Sequence, residues 1–139
     1  MKIYATSIEI AAAREQVWNV LTQDLPCDPN PFGILRFEGK VALDQKIKLW
    51  SEVSPKQAFR LKVSQFQNPQ TMVWTGGMPL GLFVGRRTFR LLTIDTGTRF
   101  EMQETFSGLM AGLITKSIPD LGPSFEKFAK TLKEKAENK

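Results

Sequence analysis

Arg87 and Glu104 are the residues of this chain whose types and spacing could do chemistry. They sit in two strand-like runs, GRRTFRLLTI (85–94) and TRFEMQETF (98–106), separated by an Asp95-Thr96-Gly97 turn. If that turn closes a hairpin, residues whose numbers sum to about 191 lie opposite one another. Leu91 then faces Phe100, Phe89 faces Met102 and Arg87 faces Glu104, all on one side of the hairpin. Burying Phe89, Leu91, Phe100 and Phe106 carries both charges inward, as an ion pair on a cavity wall. A guanidinium there can grip a carboxylate or enolate oxygen with two donors, and Glu104 can serve as an acid or base. The alternative is a pair that satisfies itself near a cavity mouth and touches no ligand. Removing one partner of a truly buried pair costs about 3–5 kcal/mol.

Other chemistries are narrowed by what the chain lacks. With no histidine and a single cysteine, Cys27, the usual Ser-His-Asp and Cys-His nucleophile systems are excluded, as are His-based and Cys-only zinc sites. No metal and no cofactor is expected. Gly76, Gly77, Gly81 and Gly85 match no phosphate-cradling loop, so a nucleotide site is not expected either. Cys27 can form no intrachain disulfide and has no basic neighbour to activate it. The 139 residues, 42% hydrophobic and 24% charged, are read as a single domain, 1–139, large enough for a core and an internal pocket. Apolar runs fall far short of the ~20 residues that span a bilayer. The N-terminal stretch alternates rather than forming the apolar run of a secretory signal, which makes the cytoplasm the expected location.

The elements that must position the pair follow from periodicity. KIYATSIEI (2–10) alternates as a strand, with Tyr4, Thr6 and Ile8 on the face taken as inward. From Ala11 to Leu21 the interval becomes helical, with Trp18 packing that helix on the sheet, and DLPCDPNPFG (24–33) is expected to end it. Strand-like runs follow around ILRFEG, QKIKLWSEV, QAFRLKVSQF, TMVWTGG, LFVGRRTFRLLTI and TRFEMQETF. Their short turns predict an antiparallel sheet with one buried and one wet face. From Leu109 onward Leu113, Ile118, Leu121, Phe125, Phe128, Leu132 and Ala136 keep a helical interval, with Ser107 as the expected N-cap. Pro119 and Pro123 predict a kink or break near 117–122. The fold class is therefore α+β: a curved antiparallel sheet of about six to seven strands wrapped around a long C-terminal helix, with a gap between them.

This order of elements, with NPF at 30–32, VWTGG at 73–77, GLFVGRRTF at 81–89, TRFEMQETFSGL at 98–109 and FEKFAKTLKEKAE at 125–137, resembles the polyketide cyclase/dehydrase-like group of the START-like (SRPBCC) superfamily. The resemblance covers nearly the whole chain. It implies a helix-grip fold with a deep cavity for lipids, polyketides or other hydrophobic molecules, and a minority of members that are enzymes. The departures bear on function. Where relatives commonly carry histidine this chain has Arg87 and Met102, and an aromatic that usually precedes Asn30 is Pro29. Glu104, Phe89, Trp74 and Gly85 match the family pattern.

The expected lining of the pocket is Tyr4, Phe59, Leu61, Met72, Trp74, Phe83, Arg87, Phe89, Phe100, Met102, Glu104, Phe106, Leu121 and Phe125, with core packing as the competing role of each large apolar residue. Tyr4 offers either a second polar contact or a hydrogen bond to backbone. The leading function is binding or carriage of a small hydrophobic or amphipathic ligand. The alternative is a cyclase or dehydratase in which Glu104 moves a proton and Arg87 holds an enolate. A second alternative comes from the net charge of +5: Lys46, Lys48, Arg60, Lys62, Arg86 and Arg90 on the outer sheet face could meet an anionic surface or acidic partner. A face merely kept soluble by lysines is the competing reading, and with only Trp50 interleaved no specific nucleic-acid partner is expected. Nothing in the sequence sets the oligomeric state.

Overall fold

A computed structural model describes residues 2–139. The alternating N-terminal run forms β1 (Lys2–Ile10), which buries Ile10 and half-buries Tyr4, Thr6 and Ile8 while Ile3, Ser7 and Glu9 face solvent. The chain then turns into α1 (Arg14–Asn19), a wide π turn (Val20–Asp24) and a last helical turn, α2 (Leu25–Cys27). The helical segment therefore runs through Pro26 instead of ending before the prolines. The π turn explains why: Leu25 N–H donates to the carbonyl of Val20, and widening the helix eases the crowding that a proline ring imposes on the carbonyl four residues earlier. A 3-10 turn at Asn30–Phe32 brings Phe32 into the core.

Six further strands complete the sheet: β2 (Ile34–Glu38), β3 (Lys46–Ser51), β4 (Ser54–Gln67), β5 (Thr71–Met78), β6 (Phe83–Ile94) and β7 (Gly97–Ser107). They form one seven-stranded antiparallel sheet in the order β1-β7-β6-β5-β4-β3-β2, curled into a half-barrel. The β6–β7 hairpin has the register expected from its turn, with Leu91 opposite Phe100, Phe89 opposite Met102 and Arg87 opposite Glu104. Gly97 takes a φ of 142° at that turn, and a Cβ there would lie 2.2 Å from the carbonyl oxygen of Ile10. Only glycine meets both demands. In β4 the register shifts between Val63 and Gln65. This bulge returns Phe66 to the inner face, where simple alternation from Val63 would have sent it outward. Phe66 packs there on Trp18 of α1, with ring centroids 5.2 Å apart.

The C-terminal stripe is not one helix. It divides into α3 (Ala111–Thr115) and α4 (Gly122–Glu137), with the break at 116–121 where Pro119 predicts it. Pro123 lies in the first turn of α4, where a missing N–H costs nothing. Asp120 accepts a hydrogen bond from Gly122 N–H at 3.0 Å and helps start the helix. Ser107 is not a helix cap: it is the last residue of β7, and Met110 takes the cap position of α3 without a side-chain bond. Leu109 and Leu113 are also not part of a buried stripe, being 90% and 66% exposed: Leu109 precedes α3, and α3 is a separate helix from α4. The buried stripe runs through Phe125, Phe128, Ala129, Leu132 and Ala136 of α4. Among the described residues no helix is long and apolar enough to cross a membrane.

Candidate functional site

Four cross-strand rows describe the inner face of the β1-β7-β6-β5 part of the sheet. The first sets Ile8, Phe100 and Leu91 side by side, and the second sets Thr6, Met102, Phe89, Met72 and Phe66. The third is Tyr4, Glu104, Arg87, Trp74 and Val63, and the fourth holds Phe106, Gly85, Gly76 and Leu61. The first two rows are packed solid against α4. Phe128 reaches into them, with its ring centroid 6.0 Å from Phe89, 6.1 Å from Phe100 and 5.2 Å from Phe32. The fourth row instead carries two facing glycines, and the α3–α4 break stands over it.

The consequence is a cavity of about 570 Å³ between the sheet and the start of α4, within the roughly 300–1,000 Å³ typical of small-molecule sites. Of the expected lining, Phe59, Leu61, Trp74 and Phe83 form its wall on β4, β5 and β6, and Met102 and Phe106 on β7. Leu121 and Phe125 close it from the α4 side, and Arg87 and Glu104 both reach it. Phe59 stands at its edge, 41% exposed. Met72, Phe89 and Phe100 are not on the wall. They are fully buried in the packed rows, where the Phe89 ring lies tilted against Trp74 with centroids 4.7 Å apart. Tyr4 is also off the wall, its ring against Phe125 at 6.0 Å and Phe106 at 6.4 Å.

Several wall residues were not anticipated. Phe32, Ile34 and Leu49 enter from the far side of the sheet, and Ile114, Ile118 and Pro119 from the α3–α4 region. Their position depends on how the curled sheet meets the broken helix, which leaves no trace in local periodicity. Gly76 and Gly85 did carry a signal. Trp74 and Arg87 are opposite each other around the Met78–Leu82 turn, so Gly76 and Gly85 must be opposite as well, on the same inner face. Two glycines in register leave a gap where side chains would fill the sheet.

The third row concentrates the polar groups. Arg87 Nε and Nη2 both donate to Oε2 of Glu104, at 3.1 and 2.5 Å. The side chains are 23% and 14% exposed, so the pair is partly wet rather than sealed inside. The Arg87 guanidinium lies 4.9 Å from the centroid of the Phe125 ring, a cation–π contact that holds its plane. Nη1 and Oε1 take no part in the pair, which leaves one donor group and one acceptor available to a ligand. Beside them, Trp74 Nε1 is, among the described residues, the one buried side-chain nitrogen or oxygen with no hydrogen-bond partner. An unpaired donor of this kind costs about 1–3 kcal/mol. Among the described residues no three His, Cys, Asp or Glu side chains gather as a metal site.

The outer face is basic but offers no comparable enclosure. Lys46 lies opposite Lys62 and Lys48 opposite Arg60, like charges that water must screen. Lys62 is 3.7 Å from Asp44. Arg36 and Lys48 each lie 5.1 Å from the ring centroid of Trp50, covering the aromatic that a nucleobase would need. A shallow depression of about 490 Å³ near Ser7, Thr88 and Gln103 is open to solvent, with Arg90 paired to Glu101 at 4.0 Å beside it.

No protein-family model and no curated protein matches the sequence. Solved structures do match. A protein from Mesorhizobium loti superposes with a TM-score of 0.75 at 15% identity, covering 99% of this chain and 98% of that one. Norcoclaurine synthase from Thalictrum flavum gives 0.66 at 15% identity over 96% and 91%. The di-domain ARO/CYC StfQ of the steffimycin biosynthetic pathway gives 0.73 at 11% identity, covering 98% of this chain and 51% of that one. What these likenesses share with the sheet and α4 described above is the helix-grip architecture, and that is the fold of this chain.

Proposed function

We propose that residues 1–139 act as one ligand-binding domain for a small hydrophobic or amphipathic molecule, lipid-like or polyketide-like, with its apolar body along Phe125, Leu121 and Phe106 and any anionic end toward Arg87. The observation that carries this reading is a cavity of about 570 Å³ with a mainly apolar wall that carries the Arg87–Glu104 ion pair. Empty apolar volume on this scale forfeits packing energy, and a ligand would restore it. The likeness to norcoclaurine synthase and StfQ supports a fold able to enclose small molecules. Native mass spectrometry of freshly purified protein is the direct test, and a co-purifying small molecule is expected. An apoprotein mass with no uptake of an apolar fluorescent probe would end the proposal.

A second reading is favoured by one feature, the Glu104 carboxylate on the wall with Oε1 outside the ion pair. In it Glu104 takes a proton from a bound substrate and Arg87 steadies the enolate oxygen that forms, as a cyclase or dehydratase requires. Turnover that persists in an Arg87→Ala, Glu104→Ala double variant would dispose of it.

A further inference from the structure

Leu80, in the turn between β5 and β6, breaks two local rules at once. It is 96% exposed, and its backbone is left-handed at φ 61° and ψ 25°, where asparagine or glycine would suit both the backbone and the solvent better. Departures of this kind cluster at functional sites. The segment after β7 lies against the same turn. Met110 N–H donates to the Leu82 carbonyl at 2.7 Å, and a Cβ on Gly108 would lie 2.6 Å from the Gly81 carbonyl oxygen. That contact brings Leu109, 90% exposed, to the turn, and Leu113, 66% exposed, follows in α3. Neither 75–85 nor 105–115 contains a charged residue, in a chain that is 24% charged. Cations border both segments. Lys2 stands opposite Phe106, Arg86 opposite Thr105, and Lys116 directly follows α3. Among the described residues none of these three cations is in an ion pair. Glu104 and Asp120, the carboxylates that flank the second segment, are engaged with Arg87 and with Gly122 N–H.

We propose that this leucine-tipped end of the molecule docks on an anionic lipid bilayer, with the leucines entering the boundary between headgroups and acyl chains and Lys2, Arg86 and Lys116 meeting the headgroups. A second copy of the chain is the other apolar surface on offer. A two-fold contact, however, lays the patch on its own image and sets cation against cation. Leucines this exposed need a medium that yields around them, which acyl chains supply. The surface goes beyond the ligand-binding function and stands without it, although Met78, 42% exposed and on the cavity wall, joins the two.

The test is co-sedimentation with vesicles of phosphatidylcholine alone and of phosphatidylcholine carrying about one third phosphatidylglycerol. Binding is expected to the anionic vesicles only, and it should weaken as salt rises from about 0.05 to about 0.5 M. The double variant Leu80→Asn, Leu109→Asn should bind more than about ten-fold more weakly. Its urea midpoint should be unchanged or higher, because asparagine accepts the left-handed backbone at position 80. Lys2→Gln, Arg86→Gln and Lys116→Gln together should weaken binding about 100-fold, the scale of three cations at such a surface. Lys46→Gln with Lys48→Gln, on the outer sheet face, should leave it nearly unchanged. No sedimentation with anionic vesicles, binding that survives the leucine changes, or binding lost through Lys46 and Lys48 instead would overturn the proposal. So would a dimer in light scattering that the leucine changes dissolve, which would assign the patch to a second copy.

Discussion

The same curled sheet is solid at one end and hollow at the other, and the change happens within two residue pairs. Around Phe89, Phe100 and Met72, large side chains meet Phe128 and Leu132 of α4 with no exposure above 3%. At Gly76 and Gly85 two facing positions bring no side chain of their own, and the helix facing them is broken at 116–121. Between the two lies the row of Tyr4, Glu104, Arg87 and Trp74. The contrast separates stability from recognition: the packed end holds sheet and helix together, and the hollow end is free to vary. Polar groups sit at the boundary because there they have a rigid apolar backing and a route to water.

The largest effect is expected in the packed end. Phe128→Ala should cost about 3–5 kcal/mol, read by urea denaturation. Leu113→Ala, the truncation of a 66% exposed residue on what looks like the same sequence stripe, should stay within about 0.5 kcal/mol. If the two cost the same, the division of the helix is wrong.

At the boundary, Arg87→Ala should cost about 1–3 kcal/mol, between the values for exposed and sealed pairs. The double variant Arg87→Ala, Glu104→Ala should recover part of that loss, because it also removes the orphaned carboxylate. A double variant as costly as the sum of the two single changes would show no coupling.

In the hollow end, Gly85→Val should abolish uptake of decanoate while changing stability by no more than about 1 kcal/mol, since a Cβ at Gly85 meets Phe106 at an ordinary 3.4 Å. Gly76 is the counter-example: a Cβ there would lie 2.6 Å from the Arg60 carbonyl oxygen, so Gly76→Ala should destabilise more than Gly85→Val.

The smallest effect concerns the far end of α4. Glu137 accepts a hydrogen bond from Ala11 N–H at 2.8 Å and pairs with Lys133 at 2.6 Å. The backbone bond first, and Lys133 second, hold its carboxyl below the usual carboxylate value. A lowered folded-state pKa contributes stability that is complete above the unfolded value and is lost as pH falls through the folded one. Acid titration of stability in Glu137→Gln should therefore lack a small part of the loss that the native protein shows below about pH 4.5.

Much of the frame was legible because it depends on local rules. Period-two alternation gave the strands, and the Asp95-Thr96-Gly97 turn fixed which residues face one another from Ile94 to Phe106. Pro119 marked the break. The readings that missed did so where a local rule met a tertiary exception. Pro26 stayed helical because a π turn made room for it, and Ser107 stayed in its strand because β7 still pairs there with Val84 of β6. Tyr4, Met72, Phe89 and Phe100 share the inner face with the wall residues, and parity alone cannot say which parts of a face are covered.

By itself the sequence determined the order of elements, the buried parity of each strand and the pairing of Arg87 with Glu104, since these follow from spacing along one chain and the geometry of one turn. Only the tertiary structure decided that the pair lies at the rim of a hollow, that two glycines stand opposite each other there, and that the Trp74 N–H is left without a partner. Those depend on how far the sheet curls and where the helix rests on it, a balance of packing summed over many residues distant in sequence.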